Sequence, residues 1–181
     1  MLNKKKALRK IIKVRVSAIS ADERRKREEI LHNNLFSMPE FLSASSVMLF
    51  ANLPDEIDTF SLIDKCFAMG KKVFLPVING DDMTVAEFTG EFKEGRFGIM
   101  EPSLLTPHSS LLTPNSIDFA LVPGVGFSPS GYRLGRGKGY YDKFLSKYSN
   151  LFTVGVCFRE QFYLDIPTES HDVPMNKVLV I

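Results

Sequence analysis

The chain has 181 residues and a formal net charge of +2, with 44% hydrophobic and 24% charged residues. This composition is that of an ordinary globular protein, and the length suits one well-buried core, so we expect a single domain over residues 1–181. The net charge is too small for the broad basic field of a nucleic-acid-binding protein. The longest apolar runs, such as Val47–Ala51, are far too short to span a bilayer, so no membrane protein is predicted.

The N-terminal residues indicate where the protein is expected to reside. The lysine-rich start is followed by no uninterrupted apolar segment or small-residue cleavage site, so we expect no secretory signal and a cytoplasmic protein.

The two cysteines, Cys66 and Cys157, lie in apolar segments. We interpret both as small buried hydrophobic residues, since nothing in their spacing indicates a disulfide framework or a metal cage.

Two helices are predicted at the start of the chain. Residues Lys4–Val16 combine apolar and basic side chains at a spacing that places the apolar ones on a single helical stripe. Ser20 followed by Glu23 is a capping box that begins a second helix. Opposite charges then recur at i,i+4, so Arg24–Arg27 are interpreted as surface charges paired along the helix.

From residue 47 onward, short runs rich in β-branched and aromatic residues predict strands. They are Val47–Ala51, Lys72–Ile78, Met83–Phe88, Ile117–Val122, Phe152–Phe158 and Lys177–Ile181. A capped helix between the first two strands, from Phe60 to Gly70, predicts parallel pairing, whereas the short turn at 79–82 predicts a local antiparallel pair. We therefore expect a mixed-sheet α/β sandwich, with residues Glu91–Asn115 as a long loop over the sheet.

The most unusual segment, Pro123–Asp142, reads PGVGFSPSGYRLGRGKGYYD. Five of the 12 glycines lie between Gly126 and Gly139, after a predicted strand and before a helical pattern. Backbone amides in such a loop approach an anion closely, and the position at the end of a strand is where α/β sheets usually bind ligands. Three cations suited to phosphate oxygens lie in the same stretch: Arg133, Arg136 and Lys138.

Residue spacing excludes three better-known motifs in this segment. A Walker A loop needs glycine five residues before the Gly-Lys pair and Ser or Thr after it, where this chain has Tyr132 and Gly139. The alternating glycines of residues 135–139 do not match the Rossmann pattern GxGxxG. The serine-hydrolase pattern GxSxG fails because Ser130 replaces its second glycine.

The string RLGRGKGYYD, preceded by PGVGF and Gly131, resembles the signature of the 5-formyltetrahydrofolate cyclo-ligase family, also called methenyltetrahydrofolate synthetases. Other landmarks agree in order: KKALR at 5–9, DEIDT at 55–59, FGI at 97–99 with EP at 101–102, and HDVPM at 171–175. The resemblance extends over nearly the whole chain. It implies a three-layer α/β sandwich with a mostly parallel mixed sheet, similar to the ribose-phosphate isomerase and CoA-transferase folds.

The resemblance also implies site residues. ATP would be held by Lys5, Lys6, Ala7, Leu8, Arg9, Arg133, Leu134, Gly135, Arg136, Gly137, Lys138, Gly139, Tyr140 and Tyr141. The reduced folate would contact Ala51, Glu56, Arg136, Gly137, Lys138, Gly139 and Tyr140. Mg²⁺ would be held by Asp142 and Asp172, directly or through water. Catalysis would depend on Lys138 and Arg136, which offset charge on the transferred phosphoryl group.

The residues themselves support the acidic positions unequally. Asp142 follows a phosphate-type loop, where a hard carboxylate suits Mg²⁺ that bridges ATP oxygens, although it could also be a simple helix-start charge. Without the resemblance, Asp172 is an acid in an undistinguished loop and Glu56 a surface acid near a helix cap. Their assigned roles therefore rest on the resemblance alone.

A few positions depart from the expected pattern or suggest no chemistry. Ser128 and Asn176 stand where acidic residues are common in the family, and neither replaces a predicted ligand. The three histidines show no mutual spacing typical of a catalytic triad or a metal cluster, and we interpret them as structural or exposed: His32, His108 and His171.

The activity that the resemblance implies is ATP-dependent conversion of 5-formyltetrahydrofolate to 5,10-methenyltetrahydrofolate, ADP and phosphate, through a phosphorylated formyl group. The partners would be small molecules only, with no nucleic acid, no membrane and a monomeric chain. One alternative is an ATP-independent sugar-phosphate isomerase or acyl-transfer protein on a related scaffold. Another is a nucleic-acid-binding module built on the first helix, which the balanced charges of residues 20–29 disfavour.

Overall fold

The computed structural model describes residues 2–95, 98–103, 117–148 and 150–181. The helices within these ranges are α1 (Leu2–Ser17), α2 (Ala21–Phe36), α3 (Pro39–Ser43), α4 (Phe60–Ala68) and α5 (Tyr140–Leu145), with a 3₁₀ turn at Arg159–Gln161. The strands are β1 (Ser46–Met48), β2 (Lys72–Asn79), β3 (Asp82–Glu87), β4 (Phe92–Glu94), β5 (Met100–Pro102), β6 (Phe119–Val122), β7 (Gly126–Phe127), β8 (Arg133–Leu134), β9 (Phe152–Cys157) and β10 (Lys177–Val180). No helix in these ranges is long and apolar enough to cross a bilayer.

In the described part of the chain, six strands form one mixed sheet in the order β10-β9-β6-β1-β2-β3. Strand β1 is parallel to β2 and β6, and the parallel order continues through β9 to β10. Strand β3 alone among these six runs antiparallel, joined to β2 by a two-residue turn at Gly80-Asp81. The six predicted strands and the mostly parallel mixed sheet are therefore confirmed, with strand ends that differ by at most three residues, the largest difference being at the end of β1.

The sheet is buried on both faces, which makes the fold a three-layer sandwich. Successive residues of a strand point to opposite faces, and β6 shows this clearly. Phe119 and Leu121 pack in a cluster with α1, α2, α3 and α4, whereas Ala120 and Val122 pack with α5 on the other side. Burial on both faces explains why these strands read as continuous apolar runs rather than alternating ones.

The predicted start of α2 is confirmed, although its capping box is only half formed. The Ser20 hydroxyl accepts a hydrogen bond from the Glu23 amide at 3.2 Å, as expected of an N-cap. The Glu23 carboxylate turns away from the cap and pairs with Arg27 at 2.7 Å. The i,i+4 ion pair therefore takes the side chain that the second half of the box would have used.

Arg24 and Arg27 correct the interpretation that residues 24–27 are only surface charges. Both are half-buried, and both contact residues outside α2. Arg24 donates to the Val16 carbonyl at 3.0 Å and lies over the Phe158 ring at 5.0 Å, while Arg27 pairs with Glu160 at 2.8 Å. Their long apolar stems pack between elements while the charged heads find partners, and this attaches α2 to α1 and to the end of β9.

The prediction of a long loop at residues 91–115 was wrong for its first part. Strands β4 and β5 form an antiparallel hairpin there, while residues 96–97 and 104–116, including Phe97 and His108, lie outside the described residues. The buried Glu101 carboxylate accepts the Ile78 amide at 3.1 Å, and Phe92 packs on Phe88 with ring centroids 4.6 Å apart. A strand of only three residues carries too short a pattern to be predicted from sequence.

The interpretation of the two cysteines is confirmed. Cys66 and Cys157 are fully buried free thiols on different faces of the sheet. Burial raises the pKa of Cys66 to about 11 and that of Cys157 to about 12. Both thiols therefore stay protonated near neutral pH and pack as small hydrophobic groups.

Close packing of Phe127 on Gly155 joins the hairpin of β7 and β8 to the sheet, and it gives a stability prediction. A methyl group at position 155 would overlap the buried Phe127 ring, so Gly155→Ala should lower the free energy of unfolding by about 1–3 kcal/mol. Urea unfolding measures this. In the double variant Gly155→Ala, Phe127→Leu the loss should be smaller than the sum of the two single losses, and simple additivity would contradict the packing explanation.

Candidate active site

A large open cleft with a volume of about 1100 Å³ lies at the carboxyl ends of the central parallel strands. Residues Phe50 and Ala51 reach it just after β1, and Pro123 and Gly124 just after β6. Strand β2 contributes Pro76 and Ile78 from its carboxyl half. The cleft is therefore at the edge where open α/β sheets bind ligands, as the sequence predicted for the glycine-rich segment.

Most of the predicted site residues line this cleft. They are Lys5, Arg9, Ala51, Glu56, every residue from Arg133 to Asp142, and Asp172. Three others do not line it, because only one face of α1 points toward the cleft. Lys5 and Arg9 lie one turn apart on that face, whereas Lys6 and Ala7 are exposed elsewhere and Leu8 packs against the core.

The glycine-rich loop runs from the short hairpin of β7 and β8 into α5. Gly137 has φ 110° and Gly139, the N-cap of α5, has φ 68°, so both adopt the left-handed region that favours glycine. Arg9 donates from Nε to the Gly135 carbonyl at 2.8 Å, and its guanidinium lies beside Gly137. The first helix therefore holds the loop from one side. Partial burial lowers the pKa of the Arg9 guanidinium.

Arg133 is a buried cation at the base of the cleft. Its side chain is 5% exposed, and the guanidinium lies over the Tyr141 ring at 5.3 Å. Nη2 is 2.9 Å from Asp142 Oδ2, an ion-pair contact without hydrogen-bond alignment, so Nε and Nη2 have no hydrogen-bond acceptor among the described residues. Buried N–H groups are rarely left unpaired, and those of Arg133 can therefore receive an anion in the cleft.

Arg136 and two acids close one side of the cleft. Its Nη2 lies 2.6 Å from Asp55 Oδ1 and 3.0 Å from Glu56 Oε1, while the other Glu56 oxygen accepts the Leu53 amide at 2.9 Å. Burial alone would raise the pKa of Asp55, but the Arg136 guanidinium outweighs it and lowers that pKa. The structure therefore brings Arg136 and Glu56 together, two residues that the resemblance had assigned to the folate.

Lys138 differs from the other cations of the loop. It is exposed on the cleft and has no hydrogen bond or ion pair within the described residues. Its ammonium is a compact charge on a flexible stem, which can follow an anionic group as that group moves.

Lys5 brings a further acid to the site that sequence reasoning missed. Its ammonium lies 3.0 Å from Glu169 Oε2 and 3.0 Å from Asp172 Oδ2. Burial alone would raise the pKa of Asp172, but the Glu169 amide and the Lys5 ammonium lower it. His171, interpreted as structural or exposed, is 67% exposed and lies on the cleft, 3.7 Å from both acids. The only signal in the sequence was the acidic spacing Glu169 to Asp172.

Asp142 and Asp172 suit the divalent cation that the resemblance implies. Both line the cleft, and Val173, the residue after Asp172, donates its amide to Asp142 at 3.4 Å. Carboxylate oxygens facing a cleft that also carries phosphate-binding groups are the donors that Mg²⁺ prefers. The residues present therefore fit a magnesium ion held by one or both acids.

The sequence analysis also did not predict the apolar part of the cleft lining. Its residues are Phe50, Leu53, Pro76, Ile78, Met83, Ile99 and Met100. In the sequence they are indistinguishable from core positions of strands, because apolar strand residues carry no sign of which ones face a ligand. Beside the basic loop, this surface suits a ligand with a flat apolar body.

Comparisons with known proteins show which family has this sequence and fold. The sequence model of the 5-formyltetrahydrofolate cyclo-ligase family matches residues 1–181. The chain belongs to this family. The 5-formyltetrahydrofolate cyclo-ligase of Mus musculus is 30% identical over 187 residues, covering 97% of this chain and 92% of the mouse protein. That of Haemophilus influenzae is 30% identical over 177 residues, covering 94% and 93%.

A solved structure agrees with the family assignment. The 5,10-methenyltetrahydrofolate synthetase of Aquifex aeolicus superposes with a TM-score of 0.85 at 32% identity, covering 97% of this chain and 89% of that one. The recognised family, the enzyme class and the mixed, mostly parallel α/β sandwich are thereby confirmed.

The two residues that depart from the family pattern lie outside the cleft. Neither Ser128 nor Asn176 lines the cleft. The buried Ser128 hydroxyl bonds that of Ser130 at 2.9 Å. The Asn176 side chain accepts the Thr153 amide at 2.7 Å and so attaches the segment after Asp172 to β9. An amide at position 176 is therefore a structural link and does not weaken the assignment of Asp172.

The buried pair of Arg133 and Asp142 gives a second prediction. Arg133→Met should lower the free energy of unfolding by about 3 kcal/mol, because it leaves the Asp142 carboxylate buried without its cation. Urea unfolding measures the loss, and the double variant Arg133→Met, Asp142→Asn should recover part of it. The exposed Arg159 is the matched control, since Arg159→Met should change stability by less than about 0.5 kcal/mol. Equal losses in the single and double variants would contradict this account.

Proposed function

We propose that this chain uses ATP to convert 5-formyltetrahydrofolate into 5,10-methenyltetrahydrofolate, ADP and phosphate. The observation that carries the proposal is the cleft of a confirmed cyclo-ligase family member, lined by a glycine-rich loop and by six cations. These are Lys5, Arg9, Arg133, Arg136, Lys138 and Lys143. Such a surface suits a polyphosphate, and the adjoining apolar lining suits the ring system of a reduced folate.

The cleft divides between the two substrates according to its chemistry. The triphosphate would lie along residues 135–139, near Nε and Nη2 of Arg133 and the ammonium of Lys138, which have no hydrogen-bond partner among the described residues. The folate would lie between the apolar lining and Glu56, whose carboxylate is held in place by Arg136 and the Leu53 amide. Ala51, which is buried just after β1, would contact the folate.

In the proposed reaction the formyl oxygen attacks the γ-phosphorus of ATP, and the bond to ADP breaks. The activated formyl carbon, now an iminium phosphate, is attacked by N10 of the same folate. The carbon–oxygen bond then breaks, and the former formyl oxygen leaves with inorganic phosphate while the N10 proton is lost. Every covalent change occurs within the substrates, so the protein needs only to position them and compensate charge.

The residues of the cleft match that requirement. Arg136 and Lys138 are the exposed cations of the loop, and Lys138 can accompany the phosphoryl group as it transfers. The cysteine thiols are buried and protonated, which agrees with a reaction that uses no protein nucleophile. Asp142 and Asp172 would hold Mg²⁺, which supplies positive charge to the phosphate oxygens when it is bound.

The test of this function is formation of a methenyl folate, followed by its near-ultraviolet absorbance. The full chain with 5-formyltetrahydrofolate and Mg²⁺ should show the rise only when ATP is added, with one ADP released for each methenyl folate formed. A rise without ATP, or none at all, would reject the proposal. The same assay excludes the ATP-independent isomerase or acyl-transfer alternative.

Lys138 gives a sharper prediction within this function. Lys138→Ala should lower turnover by about 100- to 1000-fold, because a charge that stabilises the transferring phosphoryl group is lost, by analogy with oxyanion donors. Circular dichroism and urea unfolding should match the parent protein, since Lys138 is exposed. Lys147→Ala, at an exposed lysine outside the cleft, is the control and should keep full turnover. Near-normal turnover in the Lys138 variant would remove Lys138 from the mechanism.

A further inference from the structure

Lys5 holds two carboxylates in the same place where a divalent cation is expected. Its ammonium is 3.0 Å from oxygens of both Glu169 and Asp172, with the Lys5 side chain only 12% exposed and that of Asp172 only 9%. One ligand atom from each of Glu169, His171 and Asp172 lies within 4.8 Å of the others. The ammonium therefore contacts two of three residues whose donor atoms lie close enough together to coordinate one ion.

We propose that Lys5 is a positioning residue that competes with the divalent cation for Asp172, so that binding of the cation transfers the Lys5 ammonium from the acids to the phosphates of ATP. The proposal rests on the proposed function for its ATP half, whereas the competition itself concerns only this chain and the metal. It makes Lys5 an exchangeable counter-ion and not simply a phosphate ligand.

Charge and distance require the competition. Mg²⁺ binds carboxylate oxygens at about 2.1 Å, and a lysine ammonium about 3 Å from the same oxygen would repel it strongly in a half-buried site. Glu169 and Asp172 carry two negative charges against the single charge of Lys5, so a net negative charge remains to attract a cation. A cation that takes Asp172 Oδ2, the oxygen that Lys5 contacts, must therefore displace Lys5.

The partner of the other predicted metal acid shows why Lys5 is the one that moves. Asp142 pairs with Arg133, whose guanidinium is 5% exposed and fixed over Tyr141. A planar guanidinium in that position cannot leave, whereas a lysine has four rotatable methylene groups and a single compact charge. The structure thus gives one acid a permanent cation and the other an exchangeable one.

The first helix determines where a displaced ammonium can go. Arg9, one turn after Lys5, bonds the Gly135 carbonyl at 2.8 Å and attaches α1 to the glycine-rich loop. Lys5 and Arg9 both line the cleft, so a rotation of the Lys5 side chain alone keeps its charge beside the loop. Release from the acids therefore adds a cation to the phosphate end of the cleft.

The decisive experiment measures metal affinity with neither ATP nor folate present. In calorimetric titrations of the full chain with Mn²⁺ alone, Lys5→Met and Lys5→Gln should each bind about tenfold more tightly than the parent, because the competing charge is gone. Lys5→Arg should not gain affinity, since it keeps the charge. Lys10→Met is the matched control, because Lys10 is exposed on the same helix and outside the cleft. It should leave Mn²⁺ affinity unchanged.

A second titration tests the other half of the exchange. With saturating Mg²⁺, the Lys5→Met and Lys5→Gln variants should bind ATP about tenfold more weakly than the parent, and Lys10→Met should bind it normally. Opposite changes in the two affinities are a result that a purely structural role for Lys5 would not produce.

Three results would overturn the inference. They are an Mn²⁺ affinity of the Lys5 variants equal to or weaker than the parent's, an equal gain in Lys10→Met, and unchanged ATP affinity in the Lys5 variants. Using Gln beside Met guards against misfolding, because Gln keeps a hydrogen-bond donor, and circular dichroism identifies the folded variant. Failure of ATP-dependent ring closure in the parent would reject the proposed function but leave the Mn²⁺ result interpretable.

Discussion

The parallel pairing of β1 with both β2 and β6 is the constraint on which the rest of the structure depends. Parallel strands bring their carboxyl ends to one edge of the sheet, so segments far apart in sequence leave the sheet at the same place. At the opposite edge, the Asp118 carboxylate accepts both the Ser45 and Ser46 amides and so links β6 to β1. Burial alone would raise the pKa of Asp118, but hydrogen bonds from the Ser46 hydroxyl and from the Ser46 and Ser45 amides lower it, so the link stays charged near neutral pH. The cleft follows from this arrangement.

Within the cleft, burial separates cations that build the site from cations that are free to act. Arg133 and Arg9 are held by Asp142 and by the Gly135 carbonyl, and they fix the base and one side of the loop. Lys138 has no partner among the described residues and can meet a moving phosphate. The proposed reaction, in which all bonds change within the substrates, would use this division, because a rigid frame would position the reactants while mobile charges followed the transfer.

Sequence reasoning succeeded where a local pattern has one structural meaning. Apolar runs predicted the six sheet strands because strands buried on both faces have no polar alternation. The glycines of residues 135–139 predicted a loop between a strand and a helix, and in the structure Gly137 and Gly139 adopt backbone angles that other residues avoid. It failed where meaning depends on neighbours in space. The hairpin of β4 and β5, the inward turn of Arg24 and the pairing of Glu169 with Lys5 all depend on packing between distant segments.

By itself the sequence determined the fold class, the family resemblance and the glycine-rich loop that we propose binds phosphate, since each is encoded in contiguous residues. Only the tertiary structure decided which members of a contiguous run serve the site. Of the residues at 5–9, it placed Lys5 and Arg9 on the cleft because the helical repeat turns the other side chains away. It also decided that Arg133 is buried beneath the site while Lys138 is exposed above it. Charge is a property of the residue, but its availability to a ligand depends on which partners the fold brings within reach.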